Sequence, residues 1–125
     1  MRPPLQPKPV RARQPRRWLP FGLALAVVTT LLLIPKPEDL NPGLDLSDTW
    51  LHRLAYGLLA LTASYARPPA LLVAVLLALH GALTEWAQGF VPGRTPSWSD
   101  WKADVTGTLV VLLAVGVLRR LGKRR

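Results

Sequence analysis

The chain has 125 residues and a net charge of +9; 50% of its residues are hydrophobic and only 18% are charged. A soluble domain usually carries about 25% charged residues, so this composition argues against a secreted enzyme with a large soluble core. The absence of cysteine excludes a disulfide framework, a cysteine-ligated zinc or iron–sulfur centre and a thiol nucleophile.

The N-terminal segment is basic and rich in proline. Met1–Arg17 contains six basic residues, five prolines and no acidic residue. This composition predicts a disordered cytoplasmic tail over residues 1–17 that lies on anionic lipid headgroups. Nucleic acid is the weaker alternative, because no aromatic residues are interleaved with the basic ones. The apolar run that follows ends without a small-x-small cleavage pattern, which predicts that it is retained and is not a signal peptide.

Four apolar segments follow, separated by breaks rich in proline and glycine. They predict helices near 18–34, 50–66, 69–88 and 101–118. A bilayer core needs about 20 helical residues, and about 17 are tolerated. A soluble helical bundle is the alternative, but it would need charged residues every third or fourth position, and Leu71–Leu79 and Thr106–Leu118 have none. The sequence therefore predicts an all-α, membrane-embedded four-helix domain over 18–118 and a short basic tail over 119–125.

The distribution of lysine and arginine predicts the orientation of this domain. If both termini are cytoplasmic, 12 basic residues lie on the inside and 4 on the outside. The first outer loop is acidic, with Glu38, Asp39 and Asp45. Trp18 would lie at the inner interface and the other four tryptophans at the outer one, where indole rings anchor helices. The predicted location is the cell membrane, with several spans and both termini in the cytoplasm.

Polar residues on three of the predicted helices fall at one depth. His52 precedes the turn at Pro68 by 16 residues and Glu85 follows it by 17, so both should lie about 25 Å from that turn. Ionisable residues inside a span are costly and by default mark a functional site. The candidate ligand-binding residues are Asp48, His52, Tyr56, Glu85, Gln88, Arg94, Asp100 and Asp104. Gly107, on the same face as Asp104, should allow a neighbouring helix to approach closely.

The loop over 89–97 contains the strongest cation near this layer. Ser97 and Asp100 have the spacing of a helix N-cap and its acidic third residue. Arg94 could clamp a carboxylate such as Asp100, or bind a phosphate or carboxylate through two nitrogens. The alternative is purely structural: Glu85 would pair with His52 or Arg53 only to satisfy the bundle interior.

Four further residues are expected to have structural roles only. His80 lies alone on an apolar face, as a packed histidine does more often than a ligand does. Thr29, Thr30 and Thr62 are expected to donate hydrogen bonds to carbonyls of their own helices.

Three motifs, in order, resemble the VanZ-like family of small bacterial membrane proteins. They are Asp48-x-x-x-His52-x-x-x-Tyr56, the run Glu85–Arg94, and Ser97-x-Ser99-Asp100-x-x-x-Asp104-x-x-Gly107. The resemblance covers about residues 46–115 and implies four helices with a polar cluster. The family's founding member is associated with resistance to the glycopeptide teicoplanin, and no catalytic reaction is carried over. Two positions depart from the pattern: Asp104 stands where the family usually has Asn, and Thr49 where it commonly has Lys.

The leading hypothesis is a VanZ-like protein of the bacterial cell envelope that binds an anionic amphiphile, an envelope precursor or a glycopeptide-related ligand at its outer face. An interfacial hydrolase or transferase that uses His52 and Glu85 as an acid–base pair is the second hypothesis. A structural assembly partner is the third. No cofactor is expected, and no metal site either, because HExxH-like spacing is absent.

The topology can be tested with reporter fusions. Fusions at Arg125 and in the 39–45 loop are expected to report opposite compartments, with Arg125 in the cytoplasm, because of the 12 to 4 distribution of basic residues. A reporter at Arg125 that is active outside the cytoplasm would overturn the predicted orientation.

Overall fold

The computed structural model describes residues 15–35 and 48–124. A 3₁₀ turn at Pro15–Trp18 leads into α1 (Leu19–Leu33), and α2 (Asp48–Tyr65), α3 (Ala70–Gln88) and α4 (Trp98–Gly122) follow. The described residues form helices and turns only, so the predicted all-α class is confirmed.

The helix bounds differ from the sequence prediction at several ends. The largest difference is in α4, which begins at Trp98 and continues to Gly122, so the predicted tail over 119–125 is largely helical. Its start is set by Ser97, whose side chain accepts a hydrogen bond from the backbone of Asp100, as the N-cap spacing predicts. The last residues of the predicted disordered tail, Pro15–Arg17, belong to the 3₁₀ turn. Residues 1–14 and the acidic part of the first loop lie outside the described residues.

Consecutive helices run in opposite directions, and α2 is the central one. Within the described residues it contacts each of the other three helices, and its interface with α4 is the most extensive in the bundle. The tight turn between α2 and α3 places Arg67 in the left-handed backbone region, with φ of 61°. The packed interior contains aliphatic and small residues from α1, α2 and α3, among them Leu32, Leu59, Ala60 and Leu77.

Within residues 15–35 and 48–124, three helical segments are long and apolar enough to cross a membrane: Pro15–Leu33, Ala70–Gln88 and Trp98–Gly122. The fourth helix, α2, does not qualify, because its first two turns include Asp48, His52 and Arg53. It is also the helix with the most buried residues, and those include His52, Tyr56 and Ser64. These polar side chains are on the face of α2 that packs against the other helices, whereas Leu54 and Leu61 on the same helix are exposed.

The charges are separated between the two ends of the bundle. The end formed by the start of α1, the α2–α3 turn and the end of α4 is basic. Here the described charged residues are Arg16, Arg17, Arg67, Arg119, Arg120, Lys123 and Arg124. An Arg119 nitrogen donates to the Ser64 carbonyl and ties the ends of α2 and α4 together. Every acidic residue in the described ranges lies toward the opposite end, which we call the acidic end.

The backbones of α2 and α4 come closest at Gly107. A Cβ atom at this position would overlap the backbone carbonyl of Arg53. One turn further along α2, a Cβ at Gly57 would lie 3.3 Å from Val111 and 3.7 Å from the Gly107 carbonyl oxygen. The predicted close approach of a neighbouring helix at Gly107 is therefore confirmed.

This crossing predicts that Gly107→Ala lowers the thermal midpoint of the purified protein. We expect a loss of about 1–3 kcal/mol, because the added methyl group must displace the α2 backbone. Gly116→Ala is the matched control, since it lies on the same helix with nothing within 4 Å of its added Cβ. Equal midpoints for the two variants would contradict the close crossing.

Candidate functional site

The site is centred on His52, which lies between two carboxylates from other helices. His52 Nδ1 donates to Asp104 Oδ1 at 2.8 Å. The same nitrogen lies 3.7 Å from Glu85 Oε1. All three residues are buried, and Asp104 is fully inaccessible. The predicted proximity of His52 and Glu85 is confirmed, although Asp104 is the closer partner of His52.

The remaining contacts of the carboxylates come from the start of α2 and the start of α4. The Ser97 backbone N–H donates to Glu85 Oε2 at 2.7 Å. The Thr49 hydroxyl donates to Asp100 Oδ1 at 2.9 Å. One ligand atom each from His52, Glu85 and Asp100 lies within 4.8 Å of the others, so these three side chains could share a metal ion.

A second set of polar groups forms a chain of hydrogen bonds beside this centre, in which every group donates in the same direction. Thr84 donates to the Gly81 carbonyl, so its oxygen accepts the Tyr56 hydroxyl hydrogen at 3.2 Å. Tyr56 has no second hydrogen, so His80 Nδ1 must donate to it at 2.8 Å. His80 Nε2 then accepts from Thr29 at 3.0 Å. The chain links α1, α3 and α2.

Two residues from the sequence prediction hold α1 in place. Gln88 Nε2 donates to the Leu32 carbonyl at 2.9 Å. Arg94 donates from Nε to the Ile34 carbonyl at 3.2 Å and from Nη2 to the Leu31 carbonyl at 2.9 Å. These carbonyls lie at the C-terminal end of α1, where the helix dipole favours a positive charge. Arg94 therefore caps α1, and its hydrogen bonds are to these carbonyls rather than to the carboxylates.

A cleft leads from the surface to Glu85. It has a volume of about 210 Å³ and is lined by Glu85, Ala82, Pro96 and Ser97 together with the indoles of Trp86, Trp98 and Trp101. The ring centres of Trp98 and Trp101 are 4.8 Å apart. Trp101 is anchored by its Nε1, which donates to the Ala78 carbonyl at 3.0 Å. Trp86 and Trp98 are largely exposed, at 64% and 74%.

The predicted residues thus separate into groups. His52, Glu85, Asp100 and Asp104 come together. Tyr56 instead hydrogen-bonds Thr84 and His80, and Gln88 and Arg94 contact α1. Asp48 is half-buried at the start of α2 and is not isolated, since it has an interaction partner.

Sequence reasoning missed the role of His80 and misassigned Thr29, which was expected to bond its own helix and instead hydrogen-bonds His80. The rule that intramembrane ionisable residues are functional would have found His80. For Thr30 and Thr62 the predicted bonds to their own helices are confirmed.

No protein-family model, curated protein or solved structure that was compared with the chain matches it. The resemblance to the VanZ-like family therefore depends on the three motifs alone.

The contacts of Arg94 predict the result of replacing it with lysine. Lysine keeps the charge but lacks the planar fork that contacts two carbonyls at once. Arg94→Lys should lower the free energy of unfolding by about 1 kcal/mol, measured as a fall in the thermal midpoint. Arg120→Lys, a change at an exposed position of α4, should leave the midpoint unchanged. A midpoint for Arg94→Lys equal to that of wild type would exclude the capping role.

Proposed function

We propose that this chain is a VanZ-like integral membrane protein of the bacterial cell envelope that binds an amphiphilic envelope ligand at its acidic end. The observation that carries the proposal is the tryptophan-lined cleft that leads to the buried Glu85. Such a cleft combines the two features of a ligand site, an apolar wall and a few polar groups at its base.

The proposal places four helices across the membrane with both termini in the cytoplasm. Three helices have sufficient length and hydropathy, and the central position of α2 accounts for its more polar sequence. The separation of basic and acidic ends agrees with the tendency of lysine and arginine to remain on the cytoplasmic side. The acidic end would then face outward, with Trp86 and Trp98 at the depth where indole rings anchor.

The volume of the cleft is sufficient for only part of an amphiphilic molecule. Ligand pockets for drug-sized molecules usually measure about 300–1,000 Å³, and this cleft, at about 210 Å³, is smaller. A headgroup or a short acyl segment would occupy it, while the rest of the ligand would lie along the bundle in the lipid. Trp98, with 74% of its surface exposed, gives the apolar wall on the lipid side.

The electrostatics constrain where an anionic group can lie. The buried centre holds the carboxylates Glu85, Asp100 and Asp104, which repel an anion. Arg94 does not line the cleft; it uses two of its five N–H groups on α1 and retains the others for a ligand that extends beyond the cleft. An anionic amphiphile would therefore present its charge to Arg94 and its uncharged part to the cleft.

An interfacial hydrolase or transferase is the second candidate function. The contacts that favour it are the 2.8 Å hydrogen bond from His52 to Asp104 and the 3.7 Å approach of His52 to Glu85. A carboxylate that orients a histidine beside a second acid is an arrangement used in acid–base catalysis. Turnover of a lipid-linked substrate by the purified protein, abolished in His52→Gln, would establish this function.

Amphiphile binding predicts the effect of removing one exposed indole. Trp98→Ala should reduce the amphiphile that co-purifies with the protein by about tenfold or more, because aromatic side chains contribute strongly to binding. The measurement is quantitative lipid mass spectrometry of the purified protein. Trp18→Ala is the matched control, since Trp18 is also exposed but precedes α1 at the basic end. Equal amphiphile content in both variants would exclude the cleft as the binding site.

A binding role and a structural role for Glu85 also predict different results when the residue is replaced in cells. Glu85→Gln keeps the shape of the side chain, so a binding site predicts normal abundance with loss of the envelope phenotype seen on deletion. Normal abundance with full function would contradict a binding role for Glu85. A fall in abundance that matches the loss of phenotype would favour the assembly partner.

A further inference from the structure

The buried carboxylates outnumber the cations that could neutralise them. Glu85, Asp100 and Asp104 are each at least nine-tenths buried. Among the described residues, the only basic side chain within ion-pair distance of any of them is His52. One histidine carries at most one positive charge, so the centre contains more negative charge than its protein partners balance. Buried charges in proteins are normally paired or bound to a metal ion.

Three of these groups have the chemistry and spacing of metal ligands. Ligand atoms of His52, Glu85 and Asp100 all lie within 4.8 Å of one another. Three ligands around one ion, with bonds of about 2.1–2.4 Å, lie about 3.4–4.2 Å from one another. The three side chains must therefore move closer together by about 1 Å to hold an ion. One imidazole nitrogen with two carboxylate oxygens suits a first-row transition metal better than calcium or magnesium, which prefer oxygen alone.

An orphaned oxygen points independently to a missing ligand. Glu85 Oε1 is buried and has no hydrogen-bond partner, whereas Oε2 accepts from the Ser97 backbone. The unpartnered oxygen lies 3.7 Å from His52 Nδ1, too far for a hydrogen bond. A buried oxygen without a partner destabilises the folded state, and more so when the group is charged. A bound cation would remove this cost.

We propose that His52, Glu85 and Asp100 bind one divalent first-row transition-metal ion at the acidic end of the bundle. Each ligand is oriented by a second group from elsewhere in the chain. Asp104 accepts from His52 Nδ1, which leaves Nε2 of that ring to bind the ion. Thr49 donates to Asp100, and the Ser97 backbone donates to Glu85. Outer contacts of this kind orient the ligands of metal sites in proteins.

The ligands come from three different helices, which explains why no sequence spacing reveals them. His52 is on α2, Glu85 on α3 and Asp100 on α4. An ion at this point would clamp the three helices together at the end where the tryptophan cleft opens. This site does not depend on the proposed amphiphile binding, and ion affinity is measured without any amphiphile, so either proposal can fail alone.

The test uses the full-length protein, purified through a tag without histidine, stripped with a chelator and reconstituted in nanodiscs. Titration calorimetry with Zn²⁺ and Mn²⁺ is expected to show one saturable site per chain, and Mg²⁺ should bind far more weakly. Ion binding should also raise the thermal midpoint, because a ligand that binds only the folded state stabilises it. Absence of a saturable site for both transition metals in the wild-type protein overturns the proposal.

Variants identify the ligands. Glu85→Gln and Asp100→Asn each keep the side-chain shape, and each should weaken ion binding by more than about 100-fold, since even outer contacts contribute about 10–100-fold. His80→Gln is the control for His52→Gln, because His80 is the other histidine and contacts Tyr56 and Thr29 instead. We expect His52→Gln to lose the site and His80→Gln to keep it.

The assignment is overturned if Glu85→Gln or Asp100→Asn binds the ion with wild-type affinity. It is also overturned if His52→Gln and His80→Gln lose ion affinity equally, because the ion would then bind elsewhere. Circular dichroism and monodisperse elution establish that each variant is folded before its affinity is compared. Titration of the wild-type protein tests whether the site exists and needs no variant. A variant that fails to fold therefore leaves this test intact.

Discussion

The close crossing of α2 and α4 at Gly107 is the contact on which the rest of the structure depends. Because Gly107 has no side chain, the Arg53 carbonyl can lie directly against the α4 backbone. His52 immediately precedes Arg53, and Asp104 lies one turn before Gly107 on the same face of α4. The crossing therefore brings His52 and Asp104 to 2.8 Å, and the rest of the polar centre is assembled around this pair. A larger residue at 107 would separate the helices and remove the hydrogen bond.

The polar side chains at the acidic end connect all four helices. Gln88 and Arg94 hold the last carbonyls of α1, Thr49 joins α2 to α4, and Glu85 joins α3 to the loop before α4. In a bilayer, apolar packing between helices gains nothing from excluding water, so such hydrogen bonds and small-residue contacts determine which helices associate. The same groups therefore hold the bundle together and form its candidate site.

The two ends of the bundle have different chemistry. The basic end has only positive charges among its described residues, and Arg119 closes it by contacting the end of α2. The acidic end combines three buried carboxylates with exposed indoles and an apolar cleft. A cation in the buried centre would reduce its repulsion of an anionic headgroup at the rim. A metal ion and an amphiphile could thus be bound together, with Glu85 common to the metal ligands and to the base of the cleft.

Local patterns in the sequence were sufficient to predict the helical class, the approximate helices, the common level of the polar residues and the N-cap at Ser97. These follow from local rules: apolar segment length, the rise of a helix per residue, and capping chemistry. The equal distances of His52 and Glu85 from one turn placed them together without any structure. Three contacts became apparent only in the folded structure. Asp104 is the partner of His52, Arg94 caps α1, and His80 joins Tyr56 to Thr29. Those contacts depend on the rotation of each helix about its axis and on the way the helices cross. Both are determined by packing between residues far apart in the chain, so the sequence pattern of one helix does not reveal them.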